Sequence, residues 1–279
     1  MKKFSLFIAA LYLFSLAGCT QEDAVPDANT SAASASSTSS GVSDTSAGAH
    51  DSVTDVIGEA GLKEKSELVQ NDRDIKIGAQ LDMPEKGEEI AVITMDSGKT
   101  IKLKFFPDEA PLAVYNFKKH AADGYYDGLT FHRIIDNFMI QGGDPTGSGM
   151  GGESVWGDEF EDQFNENLLN ITGSVSMANK GIDTNGSQFF INYNPAADIP
   201  WELLDLDEIT DEYKKFYDEH GGSPHLDGSY SPENKGHTVF AQVFEGLDTV
   251  KEVISVDVDG SSMPTTPVVI KTVEITTYE

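Results

Sequence analysis

Three segments concentrate the residue types that could do chemistry: FHRIIDNFMIQGGD at residues 131–144, GSVSMAN at 173–179 and TNGSQFFI at 184–191. Arg133 brings a guanidinium that keeps its charge in any site and presents several donors. Gln141, Asn179 and Gln188 bring amides, while Phe138, Met139, Ala178 and Phe190 bring apolar surface. Leu226 and His237 follow downstream. Singly, each has a plainer reading. Arg133 would be a surface or ion-paired arginine, His237 a structural histidine, and Phe138, Met139 and Phe190 strand residues of a core. Their joint order makes them candidates for a site.

Other chemistry is excluded by pattern. Residues 142–152 are Gly-rich but lack the Lys-Ser/Thr end of a phosphate loop. Residues 205–212 are acidic but lack the order of a calcium loop. His220 and His225 are spaced for a metal, yet no third ligand is evident, so neither metal nor cofactor is expected. The 279 residues carry 19 Lys+Arg against 47 Asp+Glu, a formal charge of −28. A surface this acidic argues against nucleic acid as a partner. One cysteine, Cys19, excludes an internal disulfide framework.

The elements that must position these residues are short. Residues 90–95 and 100–105 read as strands joined by a turn at Asp96, Ser97 and Gly98, and the second alternates apolar residues with Lys. Residues 109–122 have helical spacing, with Pro111 at the start and Gly124 past the end. Further apolar runs lie at 129–135, 138–141, 173–178, 188–193, 238–244 and 268–276, with a second helix at 246–255. Eight short strands and two helices without βαβ alternation predict a mainly β fold, a closed eight-stranded antiparallel barrel capped by the two helices.

Upstream the texture differs. Lys2 and Lys3 precede a run at 4–16 that is apolar except for two serines and too short to span a bilayer. It ends in LAGC at residues 16–19, which resembles the lipobox of bacterial lipoproteins. That resemblance implies a signal at 1–18, cleavage before Cys19, lipid on its thiol and a place on the extracytoplasmic face of the cell membrane. Loss of Lys2 and Lys3 would move the charge from −28 to −30, so the acyl chains alone would hold the surface. From 30 to 49 only Val42 and Asp44 are not Ser, Thr, Ala or Gly, too little apolar surface to offset ordering. Residues 19–75 are therefore expected to form a disordered tether, with a docking helix somewhere in 51–70, and 76–279 the folded domain.

Together the three chemical segments resemble the cyclophilin family of peptidyl-prolyl cis–trans isomerases, over residues 88–279. The resemblance implies an enzyme that turns X-Pro bonds without covalent chemistry. The barrier of about 18–20 kcal/mol comes from the partial double bond of the amide. A catalyst must favour the twisted amide over the planar one. On the family pattern Arg133 is the catalytic cation and Gln141 orients it. Phe138, Met139, Phe190, Leu226 and His237 form the proline pocket, the backbone at Ala178 and Asn179 pairs with the peptide before proline, and Gln188 faces substrate. His132 and Asn185 are structural. Two departures stand out. His225 occupies the place of the Trp of cyclosporin-sensitive members, so cyclosporin binding should be weak. Residues 194–224 form an insertion with one or two amphipathic helices, similar to those of Gram-positive lipoprotein rotamases. The expected partners are X-Pro segments of exported polypeptides, met by a monomer. The competing reading is a chaperone or adhesin that binds X-Pro segments with incidental turnover.

Overall fold

The computed structural model describes residues 63–70, 75–195 and 199–279, all within one compact unit. The signal run, Cys19 and the Ser/Thr-rich stretch lie outside the described residues.

Eight antiparallel strands make one sheet: β1 (Glu89–Met95), β2 (Thr100–Phe105), β3 (Arg133–Ile135), β4 (Met139–Gly142), β5 (Ser174–Met177), β6 (Phe189–Asn192), β7 (Val239–Glu245) and β8 (Ile270–Thr277). Their order is β3-β4-β6-β5-β7-β2-β1-β8. The sheet curls so that the residues before β3 meet β8. Thr130 bridges Val269, Gly128 N donates to Ile270 O at 2.8 Å, and Phe131 N donates to Val268 O at 3.0 Å. Those bonds join the sheet's two ends into the expected barrel.

Alternation sets what faces inward. In β2, Ile101, Leu103 and Phe105 are buried while Lys102 and Lys104 face out. Opposite them in β1 lie Ile93 and Ala91, both fully buried. Helix α1 (Pro111–Ala122) starts on a proline that has no N–H to leave unpaired. It packs Phe117 onto Tyr126, Phe189 and Phe240, with ring centroids 5.0 to 5.3 Å apart. A third helix lies inside the insertion, where one or two amphipathic helices are expected. That helix, α2 (Asp211–His220), is capped by Thr210, whose Oγ1 accepts from Tyr213 N at 3.1 Å. α3 (Leu247–Ile254) buries Val250, Val253 and Ile254 in the main core.

The described part of the insertion is packed on the domain. Tyr213 and Tyr217, four residues apart on one face of α2, join Leu169 and Ile171 in a second apolar cluster. Residues 63–70, which the sequence reading leaves in the tether, also touch the domain. Lys63 O accepts from Trp156 Nε1 at 2.8 Å, and Leu68 packs on the main core. Of the expected helix at 51–70, residues 51–62 lie outside the described residues, and the remainder holds a single 3-10 turn, Lys65–Glu67. Upstream of β1, Gln80 is almost wholly buried and bonds Leu169 O and Gln242 Oε1, each at 2.9 Å.

Candidate active site on the outer face of β3, β4 and β6

The site follows from strand register. Arg133 pairs with Gln141 and Ile135 with Met139 across the β3–β4 hairpin, while Gln141 pairs with Phe190 on β6. Directly opposed residues share a face. Arg133, Ile135, Met139, Gln141 and Phe190 therefore point outward together, and Ile134, Ile140 and Ile191 point into the core. The hairpin turn uses Asn137 at φ 54°, a left-handed conformation that Asn tolerates.

Met139, Phe190 and Leu226 are buried against one another, with Ile135, Phe138 and Ala178 at the edge. Leu226 arrives from the far side of the insertion on a single 3-10 turn, Pro224–Leu226. Its carbonyl accepts from His237 N at 2.9 Å. The His237 ring meets Phe190 edge-on, centroids 5.2 Å apart, and its Nδ1 donates to Met177 O at 2.9 Å. The His225 ring stacks on Phe138 at 6.0 Å. Burial lowers the pKa of both histidines, so both are neutral at pH 7. The expected pocket residues Phe138, Met139, Phe190, Leu226 and His237 are thus gathered in one basin. Ile135 belongs to it as well; its alternation with Arg133 was the available signal.

Arg133 stands at the rim. Its Nη1 donates to Gln141 Oε1 at 3.3 Å. Gln141 Nε2 donates to Gln188 Oε1 at 2.8 Å, and Gln188 Nε2 donates to Gly151 O at 2.7 Å and Gly149 O at 3.1 Å. Among the described residues no carboxylate is ion-paired with Arg133. Burial lowers the guanidinium's pKa from its ordinary value, but an arginine stays protonated there.

The loop that Gln188 holds is built around Asp144. Its carboxylate accepts from Thr146 N, Thr146 Oγ1, Gly149 N and Gly151 N at 2.6 to 3.2 Å. Burial pushes its pKa up, but these bonds outweigh burial and bring it to about 2. A cavity of about 370 Å³ lies between this loop, Gln141, Ala178, Asn179 and Gln188.

Asn179 and Ala178 partly serve the fold. Asn179 Nδ2 donates to Gly236 O at 2.8 Å, and Ala178 N donates to Gln188 O at 2.9 Å. The Ala178 N–H is thus already committed, which leaves less of that backbone for a peptide than the sequence reading assigned. Asn185 is structural, as expected, bonding Phe160 O and Asp162 Oδ1.

A cluster that sequence reasoning missed lies behind Leu226. Asp227 is 4% exposed. Its Oδ1 accepts from Asn170 N and Asn170 Nδ2, both at 2.8 Å, and its Oδ2 from the hydroxyls of Tyr213 and Tyr217. Burial raises its pKa to about 6 against the lowering effect of those four bonds. A carboxylate next to an apolar rim residue, downstream of two tyrosines one helical turn apart, was the only sequence signal.

The assembled surface is an apolar basin with one fixed cation at its edge and neutral imidazoles on its wall. It suits an uncharged ring and a hydrogen-bonded amide. Among the described residues, no group of three or more His, Cys, Asp or Glu is placed to hold a metal.

The chain is similar to known proteins in sequence and in fold. The family described as "Cyclophilin type peptidyl-prolyl cis-trans isomerase/CLD" matches residues 90–275. A Staphylococcus saprophyticus protein named "Putative peptidyl-prolyl cis-trans isomerase" is 43% identical over 197 residues, covering 70% of this chain and 96% of its own. A Staphylococcus aureus protein of the same name is 42% identical over 201 residues, with the same coverage. A crystal structure of a Cryptosporidium parvum cyclophilin-type isomerase superposes with a TM-score of 0.54 at 30% identity, covering 68% of this chain and 99% of that one. The same protein was solved in the presence of the dipeptide Ala-Pro. The chain belongs to the cyclophilin-type peptidyl-prolyl cis–trans isomerases.

Proposed function

We propose that the protein isomerises X-Pro bonds of exported polypeptides while tethered by lipid on Cys19 to the outer face of the cytoplasmic membrane. The proline ring sits in the Met139–Phe190–Leu226 basin, walled by Phe138 and His237. Arg133 donates to the amide nitrogen, whose lone pair is free only in the twisted state, so its bond is stronger there than in either planar isomer. Gln141 holds the guanidinium, while Gln188 and the backbone at Ala178 and Asn179 hold the residues before proline. Slow X-Pro steps limit folding, and a tethered isomerase would meet chains as they emerge.

The observation that carries the reading is Arg133 itself, a cation without a carboxylate partner among the described residues, held by Gln141 beside an apolar basin. Support for the membrane placement comes from the lipobox-like LAGC behind a short apolar run.

Arg133→Ala in the full chain should lower kcat/KM on an Ala-Pro peptide by about 10²–10³-fold, the usual scale for one transition-state donor, with the melting temperature unchanged. Retention of more than a tenth of the activity would overturn the role of Arg133. In cells, a phenotype that survives Arg133→Ala would favour the binding reading. Cys19→Ala should move the protein from the membrane fraction to the soluble one.

A further inference from the structure

The insertion holds a cavity of about 230 Å³ that the isomerase chemistry does not use. It is lined by Ile199, Pro200, Leu204, the Gly221–Gly222 backbone and His225. At about 30 Å³ per water this is room for seven or eight waters, the scale of one large side chain. Drug-sized ligands take about 300–1,000 Å³.

Two observations define its character. Its polar edge is already occupied: Asn194 Nδ2 donates to Gly222 O at 2.8 Å, and Asn194 O accepts from Gly222 N at 2.7 Å and Thr172 Oγ1 at 2.6 Å. The walls are therefore mostly carbon. One wall is also fixed to the barrel. A Cβ on Gly222, at φ +118°, would lie 2.4 Å from Asn170 O, so only glycine allows this approach.

Its position relates it to the active site. His225 lines the cavity and stacks on Phe138, the wall of the proline basin. Along β4, the cavity beside Gln141 lies at one end. Phe138, whose carbonyl accepts from Tyr193 N at 2.8 Å, lies at the other, next to Asn194. Met139 and Ile140 lie between Phe138 and Gln141, and the three steps span about 10 Å. A substrate whose pre-proline residues lie by Gln188 and Ala178 leaves the basin past Phe138 and His225.

We propose that this cavity is a substrate subsite for a large apolar side chain on the C-terminal side of proline. The proposal rests on the isomerase reading above. The ring centroids of Phe138 and His225 are 6.0 Å apart and the cavity lies beyond. At roughly 3.3–3.6 Å per residue, the side chain received is that of the second or third residue after proline.

The test uses the full chain and peptides Ala-Ala-Pro-Gly-Gly-Gly in which one glycine at a time becomes Phe. Isomerisation is followed by NMR exchange, and affinity by calorimetry. Phe at the second or third position should raise kcat/KM at least fivefold over the all-glycine tail, mainly through KM, while Phe at the first should not. Leu204→Asp and the milder Leu204→Ala should bring that ratio towards one. Nuclear Overhauser contacts from the Phe ring to Leu204 methyls should appear in the wild-type complex. The proposal is overturned if the wild-type ratio stays below fivefold at both positions, or if it survives both Leu204 variants. If even the all-glycine peptide is not turned over, the isomerase reading fails. The calorimetric affinities then judge the subsite by the same fivefold criterion.

Discussion

Replacing Asp227 with Asn should change how stability depends on pH more than it changes stability itself. The carboxyl is buried behind Leu226, and its pKa is raised from 3.8 to about 6. The folded protein therefore holds this proton more tightly than the unfolded chain does, and its contribution to stability grows as pH falls. Between pH 7 and pH 5 that contribution rises by about 1.3 kcal/mol, and the full difference, reached below 3.8, is about 3 kcal/mol. His120, His132, His225 and His237 act the other way. Burial lowers their pKa values, so the unfolded chain binds their protons first and stability drops below about pH 6.5. The histidines are common to wild type and variant and cancel in the comparison. Denaturant unfolding at pH 7 and pH 5 should give the wild type about 1.3 kcal/mol more gain, or less loss, than Asp227→Asn. For a domain near 200 residues that is roughly 3–5 °C in melting temperature. At pH 7 the variant keeps one acceptor oxygen for Asn170, and its NH₂ can donate to the tyrosine hydroxyls, so it should lose only about 1 kcal/mol. Parallel pH profiles for the two proteins would refute the assignment of a raised pKa to this carboxyl, and a steeper gain in the variant would reverse its sign.

Three further outcomes follow from the site. Gln141→Ala removes the bond that holds Arg133 and should lower kcat/KM about tenfold by steady-state assay, with little change in melting temperature, because Gln141 lies outside the core. Gly152→Ala places a Cβ 2.3 Å from Ser187 Oγ at φ +95°. It should cost about 1–3 kcal/mol by calorimetric melting and lower activity through the loop that Gln188 holds. His225→Trp should raise cyclosporin affinity at least tenfold over a weak wild type in a fluorescence titration, whereas nanomolar binding by the wild type would contradict the importance of the indole.

Where the sequence was legible, the reason was local. The alternation in β2 and the proline and glycine that bracket α1 are written within ten or so residues, and the strands appear where those signals lie. The basin was legible because its floor and cation come from one hairpin and its partner strand, segments long enough to be read together. What stayed hidden depends on distant partners. Asp227 takes its bonds from Asn170, 57 residues upstream, and from α2. Gln80 is buried through Gln242, 162 residues away. The docking of residues 63–70 on Tyr115 and Trp156 likewise has no local signature, since a polar stretch reads as tether until its partners are in place.

Helix α2 and the apolar basin are linked by one chain of contacts. The hydroxyls of Tyr213 and Tyr217 end on Asp227, and its neighbour Leu226 fills the basin and accepts from His237 N. His237 in turn packs on Phe190. A shift of α2 must therefore move Leu226 or leave two buried hydroxyls and a carboxylate without partners, at about 1–3 kcal/mol for each group lost. That penalty ties α2 to the rim. On the proposed reading, a subsite in the insertion's wall would keep a set distance from Arg133, which is what a chain needs if residues beyond proline are to be held while the bond before it turns.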